Sequence, residues 1–269
     1  MNGAVLLAAG SSGPSPLWYA TRAGGTVSLV LLTTTVALGI AAAGRYAPSR
    51  LGRFEVSALH RNLSLLTLAF LGMHIVTAVA DSYAHLTWPT AFVPFVASYR
   101  PLWVGLGAVA LDLLLAVAVT SAVRGRLGRR RWKAVHWLAY ASWPVALFHA
   151  AGTGTDTRLG PQLALYAGCL LTVAAAVWWR LVRAGTPALR VRRWATAALV
   201  MVPVALVAFL AVGPLRPAWA HRAGGTAQAP APSTAPAAPH RSPPPPPPPQ
   251  QHDQEDTHEE DAHQGDDAE

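Results

Sequence analysis

Two long apolar stretches of this chain each carry a pair of histidines. His60 and His74 lie in VSALHRNLSLLTLAFLGMHIVTAVA (56–80), and His136 and His149 lie in WKAVHWLAYASWPVALFHAAG (132–152). Ionisable groups inside a membrane span are costly to insert, so each marks a candidate functional site. Imidazole is also a strong axial ligand for haem iron. Fourteen residues of helix separate His60 from His74, a rise of ~21 Å that returns to within about 40° of the starting face. Ser64, Thr67 and Leu71 share that face, a mostly small set that lets a flat macrocycle approach. The other pair is thirteen residues apart, ~20 Å of rise, so the two stretches match in depth, although their faces differ by about 140°. Pro144 lies between His136 and His149, where a kink is expected.

The elements that must position these histidines are read from composition. Of 269 residues, 52% are hydrophobic and 13% charged, and the apolar residues fall in runs of about twenty. This predicts an all-α integral membrane protein, a six-transmembrane-helix bundle with a disordered C-terminal tail. Residues 1–16 are expected to be disordered and 17–213 to form the bundle. The expected spans are 26–43 with 17–25 as an interfacial lead-in, then 56–80, 102–123, 132–152, 161–181 and 194–213. The segment 214–269 is Pro-rich and then acidic and His-rich, and cannot bury a core. The single cysteine, Cys169, excludes an intrachain disulfide.

Topology follows from the basic residues. Loops after the first, third and fifth spans, with adjoining helix ends and Arg61, hold 15 of the 21 Lys and Arg. The positive-inside rule makes those loops cytoplasmic and both termini extracytoplasmic, in a multi-pass protein of a bacterial plasma membrane. His60 and His136 then share the cytoplasmic level, and His74 and His149 the outer one. The body through residue 242 carries +17 and the tail −9. The basic balance therefore reports contact with a lipid bilayer and gives no reason to invoke nucleic acid. Asp112 sits mid-span in VALDLLLAV, where a buried proton-handling role and a structural pairing are both open.

Two histidines level with each other on facing helices suit a six-coordinate haem, and two such levels suit two stacked haems. In its H-x13-H and H-x12-H spacings, and in the basic loop running into RRRWKAVHWLAYASWPVALFHAAGTGTD, the chain resembles the ferric reductase-like transmembrane domain shared by ferric reductases and NADPH oxidases. The resemblance covers residues 17–213. It implies two b-type haems ligated by His60, His74, His136 and His149, and electron transfer across the membrane. Arg61 is a candidate partner for an inner haem propionate, and Arg100 or Arg158 for an outer one; all three also suit a helix-anchoring role.

No FAD- or NAD-binding domain is expected. The Gly-rich GTGTD and RAGGT sit at membrane boundaries with no strand before them. Electrons are then expected from a cytoplasmic flavin reductase or from membrane quinol, and an extracytoplasmic acceptor takes them. A related reading is the haem subunit that passes quinol electrons to a periplasmic methionine sulfoxide reductase. A reading of another class is a haem-free metal or proton transporter using the four histidines and Asp112.

Overall fold

The structure, a computed structural model, describes residues 15–44, 53–81, 86–154, 156–183, 189–216 and 219. The expected disordered tail beyond 219 and most of the amino-terminal segment lie outside these residues. The chain divides into two units, 1–229 and 230–269, and every described residue belongs to the first.

Among the described residues all regular structure is helical. In order the helices are α1 (Pro16–Ala43), α2 (Arg53–Ala80), α3 (Trp88–Phe92), α4 (Pro101–Ala122), α5 (Arg124–Leu127), α6 (Arg129–His136), α7 (Leu138–Thr153), α8 (Gly160–Arg183) and α9 (Leu189–Val212), with a 3-10 turn at Asp156–Arg158. Helices α1, α2, α4, α8 and α9 are long and apolar enough to cross a membrane. With these helices, the chain is a multi-pass membrane protein.

The expected lead-in 17–25 is not a separate interfacial segment. Ser15 caps α1 by accepting from the Trp18 amide, and Pro16 occupies the first turn, so one helix continues through Gly24 and Gly25 to Ala43. The expected fourth span is divided. It is α6 and α7, separated by a turn at Trp137 where the Tyr140 amide bonds the Trp137 carbonyl, three residues back. Residues 213–216 are not loose either: Pro214 is fully buried, and the Leu215 amide bonds the Leu210 carbonyl.

Helices α1 and α2 form one antiparallel pair and α4 and α7 another. Lipid tails are as apolar as leucine, so helix pairing in a membrane rests on close packing and interhelical hydrogen bonds. The pair α1–α2 has both: Gly24 lies against the backbone of His74, and Thr35 meets Thr67 hydroxyl to hydroxyl at 3.3 Å. On its other face α1 presents Leu29, Leu32, Val36 and Ile40, spaced three or four apart, to Trp143 and Leu147 of α7 and Tyr166, Cys169 and Val173 of α8. The Trp143 indole donates to the Thr33 hydroxyl at 2.9 Å within this core. Leu29, Leu32 and Tyr166 of this core also line the space beside His74, and Val36, Ile40, Trp143 and Val173 the space beside His60.

Candidate haem-binding site

Helix α2 holds His60 and His74 on one face, and each ring meets a ring from the α6–α7 segment. The His60 and His136 ring centres are 6.3 Å apart at an interplanar angle of 70°. Those of His74 and His149 are 6.4 Å apart at 77°. The level-by-level pairing expected from sequence is therefore the arrangement of the side chains. The segment that carries His136 and His149 changes its winding at Trp137, directly after His136. A three-residue bond winds the helix tighter than an α-turn. Pro144 lies inside α7 and contributes no break in the helix assignment.

Three of the four rings are fixed by the same device. His60 Nδ1 is 3.0 Å from the Thr35 carbonyl, His74 Nδ1 is 2.8 Å from the Thr21 carbonyl, and His149 Nδ1 is 2.7 Å from the Trp103 carbonyl. A carbonyl only accepts, so Nδ1 is the protonated nitrogen in each, and Nε2 keeps its lone pair for another partner. These acceptors lie within helices, and their carbonyls are reachable for a common reason. A helical side chain covers the turn on its amino-terminal side, so the residue four positions on normally shields the carbonyl. Here those residues are Gly25, Gly39 and Gly107, and a Cβ on them would stand 2.9, 3.2 and 2.5 Å from the imidazoles of His74, His60 and His149. The fourth ring differs: His136 Nδ1 is buried without a hydrogen-bond partner, and the Trp132 indole lies against the ring, 4.9 Å between centres and 31° from parallel.

The paired rings can be tested against the group they would share. Two imidazoles bound through Nε2 to one iron, at about 2.0 Å per bond and about 1.15 Å from nitrogen to ring centre, have centres about 6.3 Å apart. Both observed separations fit. Among the described residues no three His, Cys, Asp or Glu gather into a metal cage. Each pair supplies two ligands, which suits a metal whose other donors come from a macrocycle.

Space and charge around the two levels differ. The His74–His149 level opens on a cavity of about 300 Å³ that Thr67, Leu71, Arg22, Asp156 and Tyr166 also line. The His60–His136 level opens on one of about 1270 Å³ whose lining includes Arg61, Arg124, Arg129, Lys133 and Arg180. The arginine that lines the smaller cavity is Arg22, ion-paired with Asp156; nothing in sequence brings α1 to the 156–158 turn.

Arg100 and Arg158 do not line the smaller cavity. Arg158 bonds the Leu215 carbonyl. Arg100 is 1% exposed and donates to the carbonyls of Gly152 and Thr153, both at 2.9 Å. Carbonyls at a helix end lack helical partners, so Arg100 caps the helix that carries His149. It does this from a left-handed backbone conformation, φ 45°, that costs a non-glycine residue about 1–3 kcal/mol. Arg100→Met is expected to destabilise the chain by about 1.5–3 kcal/mol, read as a lower unfolding midpoint of the helical signal in detergent; an unchanged midpoint would contradict the capping role. Asp112 is exposed on the face of α4 that also presents Leu115 and Val119. It does not join the histidines.

The family described as ferric reductase like transmembrane component matches residues 24–147, a stretch that holds His60, His74 and His136 and stops two residues before His149. A relative from Ralstonia nicotianae, the protein-methionine-sulfoxide reductase heme-binding subunit MsrQ, is 28% identical over 179 residues, which is 65% of this chain and 77% of the relative. No solved structure gives a significant match. Over residues 24–147 the chain is thus similar to the ferric reductase-like transmembrane family, and over a longer stretch to a haem-binding subunit.

Proposed function

We propose that this chain is a haem-bearing electron conduit across a bacterial plasma membrane. It is a six-span bundle in which α6 and α7 together make the fourth crossing, with both termini outside. Two b-type haems are held, one by His60 and His136 near the cytoplasmic face and one by His74 and His149 near the outer face. The observation that carries this reading is the pair of opposed imidazoles at each end of α2, 6.3 and 6.4 Å between ring centres. When bound, haem supplies a one-electron couple whose potential is set by its ligands and surroundings.

The chain's own residues orient and charge the conduit. Carbonyl-held Nδ1 protons keep the Nε2 lone pairs of His60, His74 and His149 available as ligands. Arg61, with Arg124, Arg129, Lys133 and Arg180 around the same cavity, offsets propionate charge on the inner side. Arg22, partly neutralised by Asp156, does so on the outer side, while Arg100 and Arg158 hold the scaffold. The electron donor is a cytoplasmic flavin reductase or membrane quinol, and neither FAD nor NAD is bound by this chain. The acceptor is extracytoplasmic. A relative that is the haem-binding subunit of a protein-methionine-sulfoxide reductase favours a separate reductase as that acceptor over free ferric iron.

The test is the purified full chain. Its dithionite-reduced minus oxidised spectrum is expected to show low-spin b-type haem at about two per chain, and a folded, helical preparation without that signal overturns the proposal. In proteoliposomes, reduction by quinol alone or only with NADH and a flavin reductase identifies the donor.

A further inference from the structure

The four histidines are not held alike, and the exception follows a register in the sequence. Along α1 the glycines that open the Thr21 and Thr35 carbonyls, Gly25 and Gly39, are fourteen residues apart, as are His74 and His60 opposite them. The same step along α4 from Gly107 reaches Ser121, and from Trp103 reaches Val117. Ser121 lines the cavity with His136. Where the other three levels have a glycine, this one has a side chain. Its Cβ covers the turn that holds the Val117 carbonyl, and the Thr120 hydroxyl, bonded to the Ala116 carbonyl at 2.6 Å, also stands 3.2 Å from that carbonyl. The Ser121 hydroxyl in turn accepts from Trp132 Nε1 at 3.3 Å. The same Trp132 stacks on His136, so a tethered indole holds the ring in place of a hydrogen bond.

A second-sphere acceptor on Nδ1–H raises the basicity of a ligating imidazole, and its loss makes the ring a poorer donor to the metal. A poorer donor stabilises the oxidised metal less, which raises the reduction potential. We infer that Ser121 is a positioning residue for potential: by closing the Val117 carbonyl to His136 it holds the haem at the His60–His136 level at a higher reduction potential than a fourth glycine would. This rests on the two-haem reading proposed above. It gives the two levels unequal potentials through one residue, with the easier reduction on the side where the proposed donor delivers electrons.

The experiment is a mediator-coupled redox titration of the full chain, with haem content measured beside it. Wild type is expected to titrate with two midpoints. Ser121→Gly combined with Thr120→Ala frees the Val117 carbonyl, and should shift the reduction equilibrium of one haem about tenfold toward oxidised, 59 mV lower for a one-electron couple. The other midpoint should stay in place and haem content should remain unchanged. Repeating the pair of changes in a His149→Ala background, which retains only the His60–His136 haem, assigns the moving midpoint to that level. Ser121→Ala loosens the Trp132 tether but keeps the Cβ that closes the Val117 carbonyl, so it should not reproduce the fall in midpoint.

The inference is overturned if the double variant binds both haems and moves neither midpoint, if the retained haem of the His149→Ala background does not move, or if Ser121→Ala produces the same fall as the double variant. In the last case the lost Trp132 tether, and not the opened carbonyl, would be responsible. A wild-type chain without haem would instead overturn the two-haem reading itself.

Discussion

His74→Ala and His149→Ala are expected to remove the same one of the two haems, and His60→Ala and His136→Ala the other, each variant falling from about two haems per chain to about one. The expectation follows from the pairing of rings at 6.3 and 6.4 Å, in which no histidine faces both partners. On the reading proposed above two histidines would hold each haem, so loss of either would leave it weakly held. The two outer variants should therefore share one residual low-spin spectrum and one midpoint, and the two inner variants another. Loss need not be equally complete within a pair. His136 is the one ring without an Nδ1 acceptor, so the inner haem leans more on His60, and His60→Ala should be the more complete of the two inner losses. Haem content by the pyridine haemochrome assay, with a redox titration of what remains, reads all four. Variants that each lose half of both haems would show that the levels exchange ligands, and the pairing would be wrong.

Much of this site is legible in the residues themselves. The fourteen-residue step of α2 fixes that His60 and His74 share a face, and the thirteen-residue step of the other stretch fixes that the depths match. Phase was the harder quantity. The sequence directs attention to Pro144 because proline removes a backbone donor, whereas the helix restarts at Trp137, a residue with no local signature of a break. The glycine register is written in the sequence: Gly25 and Gly39 repeat the spacing of the histidines they face, and the stretch 17–25, expected as an interfacial lead-in, contains one of them. Charge along the chain divides the loops into two sets but does not give contact. Arg100, Arg158 and Arg22 fall in the same sparse set in one dimension, and only packing distinguishes a helix cap, a carbonyl clasp and a cavity cation. Asp112 looked interior because its neighbours are apolar, yet lipid-facing residues are apolar too, and α4 presents it on that side.

Alanine at the three carbonyl-opening glycines is expected to damage haem binding in the order Gly107, Gly25, Gly39, and the first should abolish the outer haem. At Gly107 the added Cβ would stand 2.5 Å from His149 Cε1 and 2.6 Å from its Nδ1. No real Cβ makes such contacts, so the ring must turn and give up its 2.7 Å bond to Trp103. At Gly25 the nearest atom is His74 Cε1 at 2.9 Å, and at Gly39 it is His60 Cε1 at 3.2 Å, within reach of a small ring adjustment. Overpacking of this kind costs about 1–3 kcal/mol, while alanine in place of a mid-helix glycine returns about 0.8–1.0 kcal/mol of helix propensity. The two effects oppose each other. Gly107→Ala should be strongly destabilising to the holo chain, Gly25→Ala less so, and Gly39→Ala close to neutral in thermal stability even where it perturbs the inner haem's spectrum. Haem retention and unfolding midpoint measured on the same preparations separate backbone propensity from site closure. If all three variants gain stability and keep both haems, the glycines serve helix packing alone and the carbonyls are not what holds the rings.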